Sequence, residues 1–192
     1  AGLCAARVAA GMGADVTVFD VDVARMRYID EVWGGRIGTR FSSPLAVREA
    51  CGESDVVIGS VLVPGARTPH LVDHETVLGM VPGSVLVDIA VDQGGCFEDS
   101  HPTTHADPTF VVGGSVFYCV ANMPGAVPHT STYALTNATM RYVLLLADEG
   151  WRGACGSRDD LRRGLATCGG KLVSAPVGEA LGIECVPVSE VL

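Results

Sequence analysis

Aromatic residues are scarce in this 192-residue chain, at 6%, and only 18% of residues are charged. Positive charge is the scarcer sign: 13 Lys and Arg stand against 22 Asp and Glu, a net charge of −9. With no Lys/Arg-rich run to offset it, that balance argues against nucleic acid as a partner. No apolar stretch reaches the length of a membrane span, and no segment pairs a basic n-region with the apolar h-region of a secretory signal. Cys-x-x-Cys pairs are also missing. The seven cysteines (Cys4, Cys51, Cys96, Cys119, Cys155, Cys168, Cys185) are odd in number and widely scattered. This speaks against a disulfide framework or a structural metal site, and a cytoplasmic location with reduced thiols is the expectation. What is present is apolar and small: 48% of residues are hydrophobic, and Ala, Val and 24 glycines dominate. The length suits one large domain, or one domain plus part of another.

Read along the chain, helix and strand patterns alternate. Leu3, Ala6, Val8, Ala9 and Met12 have helical spacing over residues 2–12, with Gly13 as a C-cap. Residues 15–20 read as a buried strand ending in Asp20, and 22–32 as an amphipathic helix. Residues 36–41 form a short edge-like strand, and Pro44 opens a helix over 44–51. A strand over 55–61 leads into a turn-rich loop, a helix over 70–79, and a strand over 84–90. Residues 92–113 read as a long Gly/Pro/His/Thr loop of the kind that is usually functional or mobile. A last strand spans 116–120. Beyond Thr130 the alternation weakens: a long helix is expected over 131–149, then short helices at 159–167 and 177–181 and an extended piece at 171–174. The pattern to residue 120 implies a Rossmann-type, doubly wound α/β domain with a parallel sheet. A βαβ unit of that kind needs a strand ahead of its first helix. The chain opens directly on that helix, at Ala1, so a truncated N-terminus is the expectation.

The most informative stretch is Leu86-Val-Asp-Ile-Ala-Val-Asp-Gln-Gly-Gly-Cys-Phe-Glu98. It starts as a buried strand and ends in carboxylates, an amide and two glycines. In open α/β sheets ligands bind outside the carboxyl ends of the strands, so chemistry is expected there. Asp92 is the candidate catalytic group: a carboxylate at this point can stabilise developing positive charge or move a proton through a positioned water. The bland reading is a turn cap before Gly94. Asp88 is read as structural, and shares a sheet face with Asp92 if the strand runs that far. Asp20, 18 residues after Gly2, has the position of an acid that binds adenosine ribose hydroxyls and repels a 2′-phosphate. Otherwise it is a strand-end residue or a helix N-cap. Asn122 offers both donor and acceptors at the end of the last strand. His70 and His74 fall i,i+4 on the expected helix, where a solvated face is favoured over a metal pair. His101 and His105, in the long loop, are expected at the surface, and Cys96 carries no sign of a nucleophilic thiolate.

These residues also carry a resemblance. Asp-Ile-Ala-Val-Asp-Gln-Gly-Gly-Cys-Phe-Glu, Val61-Leu-Val-Pro-Gly-Ala, Arg67-Thr-Pro-His-Leu-Val, Phe117-Tyr-Cys-Val-Ala-Asn-Met-Pro and Thr130-Ser-Thr-Tyr-Ala-Leu-Thr-Asn-Ala-Thr resemble NAD-dependent alanine dehydrogenases. The resemblance to the nucleotide domain of proton-translocating transhydrogenases is looser. It implies NAD as cofactor, bound by Ala1 at the end of a Gly-rich turn, Asp20, Arg25 and Ser42 on the adenosine side. Val61, Leu62, Ile89, Ala90, Val91, Asp92, Val120, Ala121, Asn122 and Met123 follow toward the nicotinamide. It implies a catalytic Asp92, and interconversion of L-alanine with pyruvate and ammonia by a homo-oligomer, commonly a hexamer. It also divides the chain into an NAD-binding Rossmann domain (1–128), lacking its first strand and the start of its Gly-rich turn, and a C-terminal part of the substrate domain (129–192). The fragment alone is expected to be inactive. The alternatives are the NAD(H)-binding domain of a transhydrogenase and a non-catalytic NAD-sensing module. A glycine/glyoxylate substrate is not excluded. Glu149 departs from the family, where histidine is common.

Overall fold

The structure, a computed structural model, describes residues 1–63, 66 and 68–192. Pro64, Gly65 and Arg67, part of the expected turn-rich loop, lie outside the described residues. Two compact units divide the chain. One comprises residues 1–62 and 68–122, the other 123–192 with the described part of 63–67.

The first unit opens on α1 (Gly2–Gly11), β1 (Thr17–Asp20), α2 (Val23–Trp33) and β2 (Gly38–Phe41). β1 and β2 pair in parallel, Asp20 opposite Phe41. Ala6, Ile29 and Ile37 form their small core, with Leu3, Ala10, Val16, Val18 and Trp33 packed around it. Leu3, Ala6 and Ala10 on α1 and Ile29 and Trp33 on α2 are the inward positions of those helices. Gly34 ends α2 in the left-handed region (φ 55°), a conformation glycine adopts without a Cβ penalty.

The larger sheet follows. α3 (Pro44–Glu53), β3 (Val56–Gly59), α4 (His74–Leu78), β4 (Val85–Asp88), β5 (Thr109–Val112) and β6 (Ser115–Tyr118) give the strand order β3-β4-β6-β5. β3, β4 and β6 are parallel; β5 is antiparallel to β6. Leu86, Phe97, Phe117, Cys96, Cys119, Val77 and Val72 form its buried core. Phe97 meets Phe117 edge-on, and Phe117 stacks on Phe110 with centroids 5.0 Å apart. β3 ends tight against the core: a Cβ on Gly59 would come within 2.6 Å of Cys96 Cβ and 3.0 Å of Phe97 Cζ.

The α/β class expected from the alternation holds, with its parallel strands and flanking helices. Several details differ. Among the described residues the parallel strands fall into two sheets, because no strand bridges β1 and β3. Residues 92–113 are not one loop: their end is β5, made by the apolar Phe110 and Val112 and turned back into β6 at Gly113 and Gly114. The helix expected over 70–79 begins at His74, because Asp73 caps it by accepting the Thr76 N–H. His70 therefore lies outside the helix, and the expected i,i+4 histidine pair does not form.

The second unit contains a 3₁₀ turn (Met123–Ala126), α5 (Pro128–Ser157), α6 (Asp159–Gly164), a hairpin of β7 (Thr167–Cys168) and β8 (Lys171–Leu172), and α7 (Ala175–Leu181). The expected 131–149 helix starts three residues earlier, and its end at Glu149 holds, because the helical course breaks at the next residue. Pro128 starts it in the first turn, where the missing N–H costs nothing. Gly150, at φ 68° and ψ 165°, breaks its helical course before Trp151. Among the described residues, no helix is long and apolar enough to cross a membrane.

Candidate functional site

The carboxyl ends of parallel strands gather most of the residues singled out from the sequence. β1 ends in Asp20 and β2 runs into Ser42, whose N–H donates to the Asp20 carbonyl at 2.9 Å. Asp20 is not the cap of α2. Asp22 takes that role, accepting the Ala24 and Arg25 N–H groups, while Asp20 Oδ1 accepts the N–H of Asp22 at 2.9 Å. Arg25 stands in the first turn of α2 with an exposed side chain. The cap of α3 is Ser43, which accepts the Ala46 N–H, so Ser42 is left without that role. Ala1 sits at the N-terminus of α1, and Gly2 packs so closely on β3 that a Cβ there would collide with Ser60 Oγ. The approach brings the free N–H groups of a helix N-terminus beside the end of β3, a geometry suited to an anion.

The ends of β3, β4 and β6 hold the second group. Val61 and Leu62 follow β3, and the half-buried Val61 offers its carbonyl to Thr68 Oγ1 at 3.5 Å. The Thr68 N–H donates to the Gln93 carbonyl at 2.9 Å, tying the stretch after β3 to the turn after β4. β4 stops at Asp88, two residues short of the expected end. Ile89 and Ala90 carry the chain into a 3₁₀ turn, Val91–Gln93, with Gly94 left-handed at φ 102°. The expected sharing of a sheet face by Asp88 and Asp92 therefore fails, since only Asp88 belongs to the strand. The turn re-aims Asp92 into solvent.

Asp88 is fully buried. Its Oδ1 accepts the Ala90 N–H at 3.0 Å; its Oδ2 accepts the Cys96 N–H at 2.7 Å and the Ser100 hydroxyl at 2.5 Å. A carboxylate so supplied with donors is a structural anchor. Gly95 (φ 82°) passes directly over it, and a Cβ there would lie 2.8 Å from Asp88 Oδ2. Burial pushes the neighbouring Cys96 thiol up to about 11 and raises that of Cys119 as well. Both remain protonated near neutral pH, as expected for thiols that are not nucleophiles.

β6 ends at Tyr118 and continues through Val120 and Ala121 to Asn122. Asn122 is the one non-glycine with positive φ (52°) among the described residues. Its N–H donates to Asp92 Oδ2 at 3.2 Å. Asp92 and Asn122, thirty positions apart, are thus brought together, both exposed. Met123 opens the second unit.

Sequence reasoning missed Thr68, Ser100 and His105. The last donates from Nε2 to the Asn122 carbonyl at 3.3 Å. Its signal was present but weak: Thr104 and Asp107 bracket it as a side-chain-stabilised turn. His74 pairs with Asp99 at 2.9 Å on the surface. Among the described residues no cluster of His, Cys, Asp or Glu has the geometry of a metal site. A cavity of about 220 Å³ lies elsewhere, lined by Arg48, Gly52, Glu75, Thr76 and Gly79. Its one cation, Arg48, is already paired with Asp73 at 2.9 Å.

Known proteins resemble this chain in sequence and in fold. The chain is 59% identical over all 192 residues to an alanine dehydrogenase of Mycolicibacterium smegmatis, of which it covers 52%. It thus spans about half the length of the curated relatives it matches. A solved L-alanine dehydrogenase superposes with a TM-score of 0.82 at 45% identity, over 94% of this chain and 50% of that one. A transhydrogenase from Sinorhizobium meliloti reaches a TM-score of 0.57 at 32% identity, over 66% of this chain and 35% of that one. The model of the alanine dehydrogenase/PNT C-terminal domain matches residues 1–175, and the chain belongs to that family.

Proposed function

We propose that the protein carrying this chain is an NAD-dependent alanine dehydrogenase, converting L-alanine reversibly to pyruvate and ammonia. Residues 1–128 hold the nucleotide and 129–192 belong to the substrate domain. The observation that carries the reading is the Asp92–Asn122 contact at the carboxyl ends of β4 and β6. This is where an open α/β sheet binds its ligand. The likeness to the solved L-alanine dehydrogenase, closer and more extensive than that to the transhydrogenase, favours the amino-acid substrate.

The donor set fits a dinucleotide. Asp20 ends β1 with Oδ2 uncommitted to Asp22, suited to paired ribose hydroxyls and repellent to a 2′-phosphate. Ala1 and the start of α1 offer backbone N–H groups to the diphosphate; Arg25 and Ser42 stand on the same side. Val61 and Leu62 supply apolar cover. Ile89, Ala90, Val91, Val120 and Ala121 line the reactive end, where the small Ala90 permits close approach, and Met123 follows Asn122 in sequence as the last residue assigned to the cofactor. When bound, NAD accepts the hydride from the substrate α-carbon. Asp92 places negative charge where the substrate becomes cationic, and can pass a proton to or from water. Asn122 holds Asp92 through its N–H and leaves its amide for the ligand. The protein acts in the cytoplasm as a homo-oligomer.

Asp92→Asn keeps the size of the side chain and removes its charge. In the protein carrying this chain, alanine-dependent NADH formation should fall about 100-fold or more, with NADH affinity changed little. Turnover within a few-fold of wild type would remove Asp92 from the chemistry, whereas a wild-type protein that binds NADH but turns over no alanine would point to a nucleotide-sensing module.

A further inference from the structure

Asn122 is gripped on both sides of its backbone. Its N–H donates to Asp92, and its carbonyl accepts from His105 Nε2 at 3.3 Å. It is also the non-glycine residue with positive φ among the described residues, a conformation asparagine tolerates better than other side chains and one that its two backbone contacts hold. A carbonyl oxygen only accepts, so Nε2 carries a hydrogen at this contact.

The loop presenting His105 is built for placement. Thr103 lies alongside Val120 as a parallel bridge: its N–H donates to the Cys119 carbonyl at 2.9 Å, and its carbonyl accepts the Ala121 N–H at 3.1 Å. Thr103 Oγ1 donates to the Pro108 carbonyl at 2.9 Å, and Thr104 Oγ1 accepts the Asp107 N–H at 3.1 Å. On its near side His101 stacks on Phe110 with centroids 3.8 Å apart, joining the loop to the aromatic core. His105 therefore projects from a turn fixed at both ends, although its own side chain is exposed.

We propose that His105 is a positioning residue for the reaction. It holds the left-handed turn at Asn122, and through it the orientation of Asp92. This rests on the function proposed above for Asp92, while the contact itself can be tested apart from turnover. Small displacements of a catalytic group cost rate rather than cofactor affinity. Among the described residues, the hydrogen bond of His105 runs to Asn122 and none runs to Asp20, Arg25 or Ser42.

The test compares His105→Ala with His105→Gln in the protein carrying this chain. Glutamine offers an amide N–H at a reach close to that of Nε2. For His105→Ala, kcat with alanine should fall about tenfold while KM for NAD stays within about twofold. His105→Gln should recover to within about threefold of wild type. Hydrogen–deuterium exchange of the peptide containing Asn122 should quicken in His105→Ala and return to the wild-type rate in His105→Gln. An unchanged kcat in His105→Ala overturns the proposal, as does an equal loss in both variants. If wild type turns over no alanine, the dehydrogenase reading fails separately and exchange decides alone. Equal exchange in wild type and His105→Ala then sinks the His105 contact.

Discussion

Asp88 and Asp92 show how two carboxylates four positions apart take opposite roles. Asp88 faces inward with three donors; Asp92 faces solvent with one. Their difference was legible in part. The apolar neighbours of Asp88 mark a buried strand, and the glycines after Asp92 mark a loop, so the buried and the solvent-facing carboxylate could be told apart from residue order. What order could not supply was the partner of each. Ser100 reaches Asp88 through the fold-back of the segment after the 3₁₀ turn, and Asn122 reaches Asp92 through the pairing of β6 with β4. Asp88→Ala should destabilise the fold by about 3 kcal/mol or more in urea unfolding, since it strands the Cys96 N–H and the Ser100 hydroxyl in the core. A loss below about 1 kcal/mol would mean that the pocket rehydrates.

At the scale of elements, the parallel strands were legible because β-branched runs ended at recognisable polar residues. The helix boundaries were less so. The start of α3 at Pro44 was legible, but that of α4 was not: the Thr76 N–H donates to Asp73, a local bond that shifts the boundary to His74 without disturbing the apolar period. β5 was hidden because its alternation, with Phe110 and Val112 inward, spans only four residues after a tract rich in loop formers. The α4 cap also has a pH signature. The Thr76 hydroxyl and N–H, and then Arg48, hold the Asp73 carboxyl down at about 2. The folded chain therefore binds fewer protons there than the unfolded chain. The benefit is complete above the ordinary carboxylate range and is lost as pH falls from about 4 to about 2. Thermal melts should accordingly show Asp73→Ala below wild type at pH 7, with the gap closing as pH falls through that window. A gap that stays constant down to pH 2 would contradict the assigned cause.

For the whole molecule, the alternation of elements and the wording of residues 86–98 were enough to identify the α/β class and the family. The separation of β1–β2 from β3-β4-β6-β5 was not legible, because strand order is set by long-range pairing that local pattern does not encode. The break at Gly150, by contrast, was legible, since the apolar period of the long helix stops at residue 149. With the chain at 52% of the length of its M. smegmatis relative, a polypeptide of these 192 residues should bind NAD weakly and oxidise no alanine. Absorbance of NADH would report this, and turnover at the rate of the complete protein would refute it.

The anchoring of residues 96–100 to Asp88 has a mechanical consequence. Lifting that segment off the sheet would leave an anion stranded in an apolar interior, so it cannot swing as a hinged flap on its own. It is fixed flooring next to the turn that carries Asp92. Under the function proposed above, widening to admit or release a ligand comes from other parts of the protein, and stiffening this floor further should leave product release unaltered.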